Sequence, residues 1–538
     1  MTALLLAAFA TPWALLLLCL RRGLRMRMPG LLPFAPLPAL AAALLVPVGT
    51  AVTLERPVLP VTLALDGPGA LLLGVAALLW IAGGLYAAAA PPVGPAERGR
   101  WVVCWLLTLA GNIGVFLAAD VTTFFLAYAL VSIPAWGLVR TDAVAGSGRA
   151  GGVYIAFALF GETLLLLGLV MLVTGLPSGR AIGAAMAALP DSPWRAGAIV
   201  LITLGLGAKI GLVPLHSWMP LSYRAAPVPA AAVLSGAASK AGIIGLIRFL
   251  PLDIAVPTWG TAMVALGLVS AFWGVAVGLT QRHPKTILAY SSISQFGLMT
   301  AALGMALAAG NRAGGQAVAF YAAHHVLAKG ALFLAVGIAA GRPRGARRRV
   351  LIPAGVVALG IAGLPLTGGA VAKLALKPTL GYGTVGALGM LSAAGSTLLM
   401  LHFLRQLAGL ASREGTEAPG ARLAWAGVTA AAVLVPWALL GWAHPPLTAA
   451  MVLSPAALWD AAWPLLAGGA LAALLHRTRL PAVPPGDIVV LGPALRGLGA
   501  RLARAAERAD TLLRSWPAAT VGVLAVAVAL WLAVVMAG

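Results

Sequence analysis

The chain has 538 residues, of which 61% are hydrophobic and 9% charged, and its formal net charge is +22. A soluble domain averages about 45–50% apolar and about 25% charged residues, so this composition excludes a water-soluble core and predicts a chain solvated largely by lipid. The positive charge does not indicate a nucleic-acid partner, because the arginines fall in short connections between apolar runs and form no basic face.

Apolar runs of about 18–25 residues predict membrane-spanning helices, and the chain has sixteen such runs. They begin near residues 3, 31, 67, 101, 121, 152, 196, 228, 257, 286, 315, 350, 382, 422, 456 and 516. The first run lacks a basic leader and is followed by four arginines within 21–27, so we interpret it as a retained span. The predicted fold class is therefore all-α, a polytopic transmembrane helical bundle.

Lysine and arginine concentrate in the odd-numbered connections, such as 21–27, 98–100 and 342–349. Basic connections stay on the cytoplasmic side, so we expect a cell inner-membrane protein whose two termini both face outward. Near 494–514, leucines and alanines recur every three or four residues between arginines. That pattern predicts an amphipathic cytoplasmic segment that lies on lipid headgroups or docks a partner.

The six lysines are distributed differently from the thirty arginines. Arginine stays protonated at any biological pH, whereas lysine loses its proton more readily when it is desolvated. Ionisable groups inside a membrane are costly and indicate function, and four such lysines suggest a proton relay. Side chains that snorkel or bind helix-end carbonyls remain the alternative. Four lysines fall inside predicted spans and two at span ends: Lys209, Lys240, Lys329 and Lys373, then Lys285 and Lys377.

Histidines extend this set, since their unperturbed pKa lies near neutrality. His325 precedes Lys329 by four residues and shares its helix face, and His216 follows Lys209 by seven. His324 points elsewhere and is equally compatible with a core position. The two cysteines are too few for an iron–sulfur cluster, so we expect no cofactor, no metal and no catalytic residue in this chain.

Two predicted spans carry helix breakers beside a lysine. Span seven, GLGAKIGLVPLHSWMP, contains Pro214, and span twelve, GIAGLPLTGGAVAK, contains Pro365, Gly368 and Gly369. Broken spans at corresponding positions of two halves indicate a transport site. We therefore predict two inverted five-helix halves, 101–250 and 251–412, between N-terminal helices in 1–100 and C-terminal helices in 413–538. Their four lysines would form a row near the membrane midplane.

At these segments the sequence resembles the antiporter-like membrane subunits of respiratory complex I, membrane-bound hydrogenases and Mrp-type cation/proton antiporters. The resemblance extends over roughly 100–410 and rests on four segments. They are AKIGLVPLHSWMPLSYRAAPVPAAAVLSGAASKAG (208–242), HPKTILAYSSISQFG (283–297), HHVLAKGALF (324–333) and GLPLTGGAVAK (363–373).

The resemblance implies a fourteen-helix core with broken helices seven and twelve, followed here by two extra spans. It implies that Lys209 carries protons in the first half-channel and that Lys240 and His325 belong to a central hydrophilic axis. It further implies a bridging role for Lys329 and an exit-side role for Lys373, with His216 and Ser294 as weaker matches.

One departure concerns a helix-five glutamate that pairs with the helix-seven lysine in the family. Ala129 stands at that position, within FFLAYALVSIPAWG (124–137). We hypothesise that Glu162, in span six, partly replaces it; the rival interpretation is a degenerate first half that conducts poorly.

The leading functional interpretation is a proton-translocating subunit of a multi-subunit oxidoreductase, of the hydrogenase or complex I type. Catalysis would lie in other membrane and soluble subunits. The alternatives are a subunit of a Mrp-type cation/proton antiporter, an energising subunit for inorganic carbon uptake, and a non-conducting scaffold.

Overall fold

A computed structural model describes residues 1–55, 60–142, 144–174, 181–343, 347–411, 418–442, 447–475 and 483–487. The predicted amphipathic segment at 494–514 and the span near 516 lie outside these residues. The described chain is a helical bundle with one β-hairpin. Its first eleven helices are α1 Thr2–Leu18, α2 Arg22–Arg27, α3 Leu37–Leu45, α4 Gly67–Ala89, α5 Pro95–Leu117, α6 Val121–Ser132, α7 Ala135–Val139, α8 Ser147–Val173, α9 Ile182–Ala188, α10 Arg195–Ile210 and α11 Trp218–Ala225.

The second group of helices completes the described bundle. It comprises α12 Val228–Val233, α13 Lys240–Phe249, α14 Pro257–Leu279, α15 Pro284–Ala309, α16 Ala313–Ala340, α17 Arg348–Ala362, α18 Gly368–Leu380, α19 Thr384–Ala408, α20 Pro419–Ala438, α21 Ala449–Val452 and α22 Pro455–Leu475. A π-helical turn, Leu234–Ala238, joins α12 to α13.

Within the described residues, eleven helices are long and apolar enough to cross a membrane, or twelve if the bent pair at Thr2–Leu18 and Arg22–Leu31 is one span. The prediction of an all-α polytopic bundle is confirmed, and the count of sixteen spans stays a prediction. The second predicted span differs from expectation, because α3 has only nine residues, about 14 Å of helix. Pro33 and Pro36 precede α3, and proline cannot donate a backbone hydrogen bond inside a helix.

The β-hairpin was not predicted. Strands β1 (Ala51–Leu54) and β2 (Val61–Ala64) pair antiparallel with Ala51 opposite Ala64. β2 is anchored to the turn after α5, since Ala119 N donates to Thr62 O at 2.9 Å and Thr62 N donates to an Asp120 carboxylate oxygen at 3.0 Å.

Arg248 ties the end of α13 to the same region. Its guanidinium donates two hydrogen bonds to Asp66, the N-cap of α4, at 2.9 and 3.0 Å. It donates three more to carbonyls at the end of α5, those of Val115 (2.8 Å), Phe116 (2.7 Å) and Ala118 (3.0 Å). One buried arginine therefore joins three helix ends.

Both predicted helix breaks are present, and each begins at a glycine with positive φ. Gly211 (φ 68°) ends α10 and Gly363 (φ 110°) ends α17, a conformation that only glycine adopts without strain. The freed backbone groups find partners inside the protein, as membrane depth demands. Trp218 Nε1 donates to Ala208 O at 2.9 Å, and Trp437 Nε1 donates to Leu366 O at 3.1 Å.

Burial separates central from peripheral helices. The most apolar 18-residue windows of Val228–Phe249 and Ala313–Ala340 are each 94% buried within the protein, whereas that of Pro455–Leu475 is 11% buried. Lys240 and Lys329 lie on the two enclosed segments and are fully buried. These amines therefore face protein and not lipid. The division into halves at 250 and 412 stays a prediction; α5, at the start of the first half, begins at Pro95.

Candidate functional site of buried amines and histidines

Lys209 lies in the last turn of α10, where the helix break begins. Its Nζ donates to Ser132 Oγ at 2.8 Å and lies 5.7 Å from the centre of the Tyr128 ring. It also borders a small cavity between α6, α8 and α10. The cavity is lined by Tyr128, Ser132, Tyr154, Phe157, Ala158, Gly161, Ala208, Lys209 and Trp218.

Glu162 lies on α8 beside this cavity and is buried, at 7% exposure. Its carboxyl group interacts electrostatically with Lys209 and adjoins the Ser132 hydroxyl. Among the described residues, its Oε1 atom has no hydrogen-bond partner. α8 and α10 approach closely because Gly161 faces Ala208, where a Cβ would lie 3.0 Å from the Ala208 methyl. A carboxylate on α8 thus occupies the neighbourhood of Lys209 although Ala129 offers none on α6.

Lys240 and His325 form the centre of the site. Lys240 Nζ lies 2.8 Å from His325 Nδ1, and it donates to Ser235 O at 3.0 Å and Ser239 Oγ at 3.3 Å. The same ammonium lies 4.9 Å from the centre of the Phe296 ring. A lysine–histidine contact of this length allows direct proton exchange, because the imidazole nitrogen can accept what the ammonium donates.

The π-helical turn before Lys240 sets this geometry. Ser239 N bonds back to Leu234 O, five residues earlier, and such turns occur at functional sites. The widened turn is held from outside by Asn112 on α5, whose Nδ2 donates to Ala237 O at 3.3 Å. Trp80 on α4 in turn donates to Asn112 Oδ1 at 2.8 Å. Two buried side chains from neighbouring helices therefore support the turn that carries Lys240.

Lys329, one turn after His325 on α16, donates to Leu288 O of α15 at 3.0 Å. It interacts electrostatically with Lys240 and with His325, so these three groups form one cluster. α13 packs against α10 at Gly242, where a Cβ would lie 3.5 Å from Lys209 Cβ, while the Lys209 ammonium itself bonds Ser132 on α6.

His324 points to the second helix break. A Cβ on Gly369 would lie 3.0 Å from its Cε1 atom, and its ring interacts electrostatically with Lys373. Lys373 Nζ donates to Ala362 O, at the end of α17, at 2.6 Å. The ammonium therefore sits at the negative end of a half-helix. Of the two histidines, His325 faces Lys240 and His324 faces Lys373.

The other predicted site residues occupy the breaks or lie to one side. Pro214 falls in the break between α10 and α11, Pro365 falls between α17 and α18, and Gly368 begins α18. His216 follows the first break; Trp273 Nε1 of α14 donates to His216 Nε2 at 3.3 Å. The His216 ring lies edge-on to that of Tyr290, with 6.3 Å between the ring centroids.

Sequence reasoning missed Ser132, Asn112 and the position of His324. Ser132 and Asn112 are ordinary polar residues in apolar helices, so only the packing reveals what they bind. For His324, the repeat of two adjacent histidines was the available signal, because neighbours on a helix point about 100° apart and can serve two different partners.

Known proteins resemble this chain in sequence and in fold. A sequence model described as NADH:quinone oxidoreductase/Mrp antiporter, TM, matches residues 118–376. An uncharacterized protein of Mycobacterium tuberculosis is 36% identical over 304 residues, covering 52% of this chain and 47% of its own. NADH-quinone oxidoreductase subunit N of Salinispora tropica is 32% identical over 368 residues, covering 63% of this chain and 69% of its own. The chain belongs to the NADH:quinone oxidoreductase/Mrp antiporter family of membrane subunits.

This antiporter-like subunit also shares its fold with a solved complex. The structure of the Mrp complex from Dietzia sp. matches it with a TM-score of 0.77 at 23% identity, covering 100% of this chain and 63% of that one. The chain spans about half the length of the M. tuberculosis relative. The matched segment, 118–376, contains Lys209, Lys240, His325, Lys329 and Lys373.

Proposed function

We propose that this antiporter-like subunit carries protons across the cell inner membrane as part of a multi-subunit oxidoreductase of the complex I or hydrogenase type. The observation that carries the proposal is the buried contact of 2.8 Å between Lys240 Nζ and His325 Nδ1. Ionisable side chains at membrane depth are costly unless they serve transport, and a lysine beside a neutral acceptor can exchange a proton.

The proposed route runs through four lysines and three other ionisable groups. Glu162 and Ser132 serve Lys209 at the entrance of the first half, and Lys240, His325 and Lys329 form the centre. His324 leads on to Lys373, in the second half. Water must bridge Lys209 to Lys240, because α10 and α13 approach at Gly242 without a direct hydrogen bond between the two amines in the described chain. His216, against Trp273, is proposed to border the first break.

The partners we propose are other membrane and soluble subunits, which supply the redox reaction and its cofactors. The relative from S. tropica is named as a subunit of NADH-quinone oxidoreductase, which supports membership of such a complex. The distribution of arginines supports termini that face outward. Labelling of single cysteines placed at residue 2 and at residue 94, the exposed position before α5, with an impermeant maleimide tests that orientation, since the two sites should react from opposite sides.

The test uses the complex purified from membranes with its own partner subunits and reconstituted into vesicles that contain a pH-sensitive dye. A potassium diffusion potential drives proton movement. His325→Gln should slow it by about a hundredfold, the lower range for loss of a positioned proton-transfer group. His402→Gln is the matched control, because His402 also lies in a membrane helix but bonds Gln281 O, outside the route. Equal rates for wild type and His325→Gln would indicate a scaffold instead.

The dependence of proton movement on sodium distinguishes the proposed function from that of a cation/proton antiporter subunit. The described membrane-spanning helices contain three carboxylates, Glu97, Glu162 and Asp460, which are few oxygen ligands for a cation path. We therefore expect proton movement at the same rate with sodium or choline as the bulk cation. A strict sodium requirement would refute the oxidoreductase assignment in favour of the antiporter.

A further inference from the structure

An ion pair links the second broken helix to the C-terminal helix of the described chain. Lys377, near the end of α18, pairs with Asp460 in the second turn of α22. The two side chains are 27% and 35% exposed, and the Lys377 ammonium also lies 5.4 Å from the centre of the Tyr382 ring. α22 follows the segment that matches the family, so the family match does not assign this carboxylate any role.

The need to hold α22 against the bundle does not explain why Asp460 is charged. α22 already packs on α19 through Gly468, where a Cβ would lie 2.4 Å from Ala394 O. Such close approach at a small residue holds membrane helices together without polar groups. A half-exposed ion pair adds about 0–1 kcal/mol, so an apolar pair would attach the helix as well. A carboxylate inside a lipid-facing helix remains costly and indicates a function.

The pair continues the route from Lys373. Lys373 and Lys377 are four residues apart on α18, so they lie on one face about one turn from each other. Lys373 Nζ binds Ala362 O at the helix break, whereas Lys377 reaches Asp460. Asp460 lies in the second turn of α22, near the predicted outward end of that span. Lys373, the ion pair and the outer surface therefore follow one another in the order that proton release requires.

We propose that Asp460 is the proton-release group of the second half, accepting the proton that leaves Lys373 and passing it to water on the outward side. The inference rests on the proposed proton transport. In the step, the Lys373 ammonium loses one proton through water and becomes a neutral amine, and the Asp460 carboxylate becomes a neutral carboxylic acid. The neutral acid no longer attracts Lys377, and loss of its proton to bulk water restores the ion pair.

Lys377 gives the step its direction. Its charge repels a second ammonium one turn away at Lys373, and its attraction for ionised Asp460 opposes retention of the proton there. Both effects favour release of the proton to water over its retention on Lys373 or Asp460. α22 is therefore a working part of the exit and not only a helix on the periphery.

The test measures potential-driven proton movement in vesicles that contain the complete complex. Asp460→Asn should slow it about tenfold, less than a fully buried proton-transfer group, because water partly substitutes at a half-exposed site. Asp460→Glu should retain most of the rate. Asp191→Asn is the matched control, an exposed carboxylate before α10 on the same predicted side of the membrane.

A charge exchange separates proton release from attachment. The double variant Lys377→Asp, Asp460→Lys keeps an ion pair between α18 and α22 but places the carboxylate next to Lys373, where it stabilises the Lys373 ammonium and hinders release of its proton. We expect transport to stay about tenfold slow while the complex assembles normally. Transport restored to the wild-type rate would overturn the proposal and leave a simple tether, as would an unaffected Asp460→Asn. If His325→Gln also equals wild type, the proposed function itself fails.

Discussion

Replacement of Arg248 by methionine should destabilise the protein by about 3–5 kcal/mol, because it leaves three backbone carbonyls without their donor at a cost of about 1–3 kcal/mol each. The guanidinium has five N–H groups, and all five donate: two to Asp66 and one each to the carbonyls of Val115, Phe116 and Ala118. The Arg248 side chain is only 7% exposed, so water cannot take its place. Methionine fills similar volume, so the cost reflects lost hydrogen bonds more than a cavity.

The same structure predicts that replacing Asp66, the ion-pair partner of Arg248, lowers stability only slightly. The Asp66 side chain is 46% exposed, so an ion pair lost there costs about 1 kcal/mol or less. Asn in Asp66→Asn can still cap α4, as Asp66 does by accepting from Gly69 N at 2.6 Å. Arg248→Lys should behave like the methionine variant, because an ammonium has three donors and lacks the planar fork.

Thermal unfolding of the purified protein in detergent, at one fixed scan rate, measures these differences. We expect Arg248→Met to lower the unfolding temperature by about 3–4 °C and Asp66→Asn by about 1 °C or less. Similar shifts for the two variants would refute the reasoning, because they would mean that the carbonyls at the end of α5 do not depend on Arg248.

Three further predictions concern the site. Ser132→Ala removes the hydroxyl that Lys209 binds at 2.8 Å and should slow proton movement about tenfold, whereas Ser132→Thr should restore it; equal rates would exclude Ser132 from the entrance. His324→Gln should slow proton movement but change the free energy of unfolding by no more than about 1 kcal/mol. If His324 only filled space in the core, the substitution would instead lower stability and leave the proton rate unchanged. Gly369→Ala should cost about 3 kcal/mol, because its Cβ would lie 1.7 Å from Gly360 O, while Gly383→Ala, with open space around it, should be neutral in the same unfolding assay.

The features that sequence predicted are those that depend on residue type along the chain. Apolar runs predicted the bundle, and Pro214 and Pro365 predicted the two breaks, because proline and lipid impose strong local rules. The hydrogen-bond partners of the site residues could not be predicted from the sequence, because they lie far apart along the chain. Ser132 and Lys209 are 77 residues apart, and Asn112 and Ala237 are 125 residues apart. Such contacts depend on how helices rotate and cross, which a single sequence does not fix.

Two errors have local causes. The second span was expected to be a full helix because its residues are apolar, but prolines before α3 leave only nine helical residues. The hairpin was missed because strands of four residues carry too little alternation to be recognised.

The π-helical turn at Leu234–Ala238 makes the segment before Lys240 sensitive to chain length. A π turn contains one more residue than an α turn but completes the same single revolution, so deleting one alanine here would restore regular α-helix and leave the later side chains on nearly the same faces. What the extra residue provides is a carbonyl left to side chains, since Ser235 O accepts from Ser239 Oγ at 2.7 Å and from Lys240 Nζ at 3.0 Å. A homologue shortened by one residue would offer that carbonyl to a backbone N–H, so it could keep every ionisable group and still lose one partner of the central lysine.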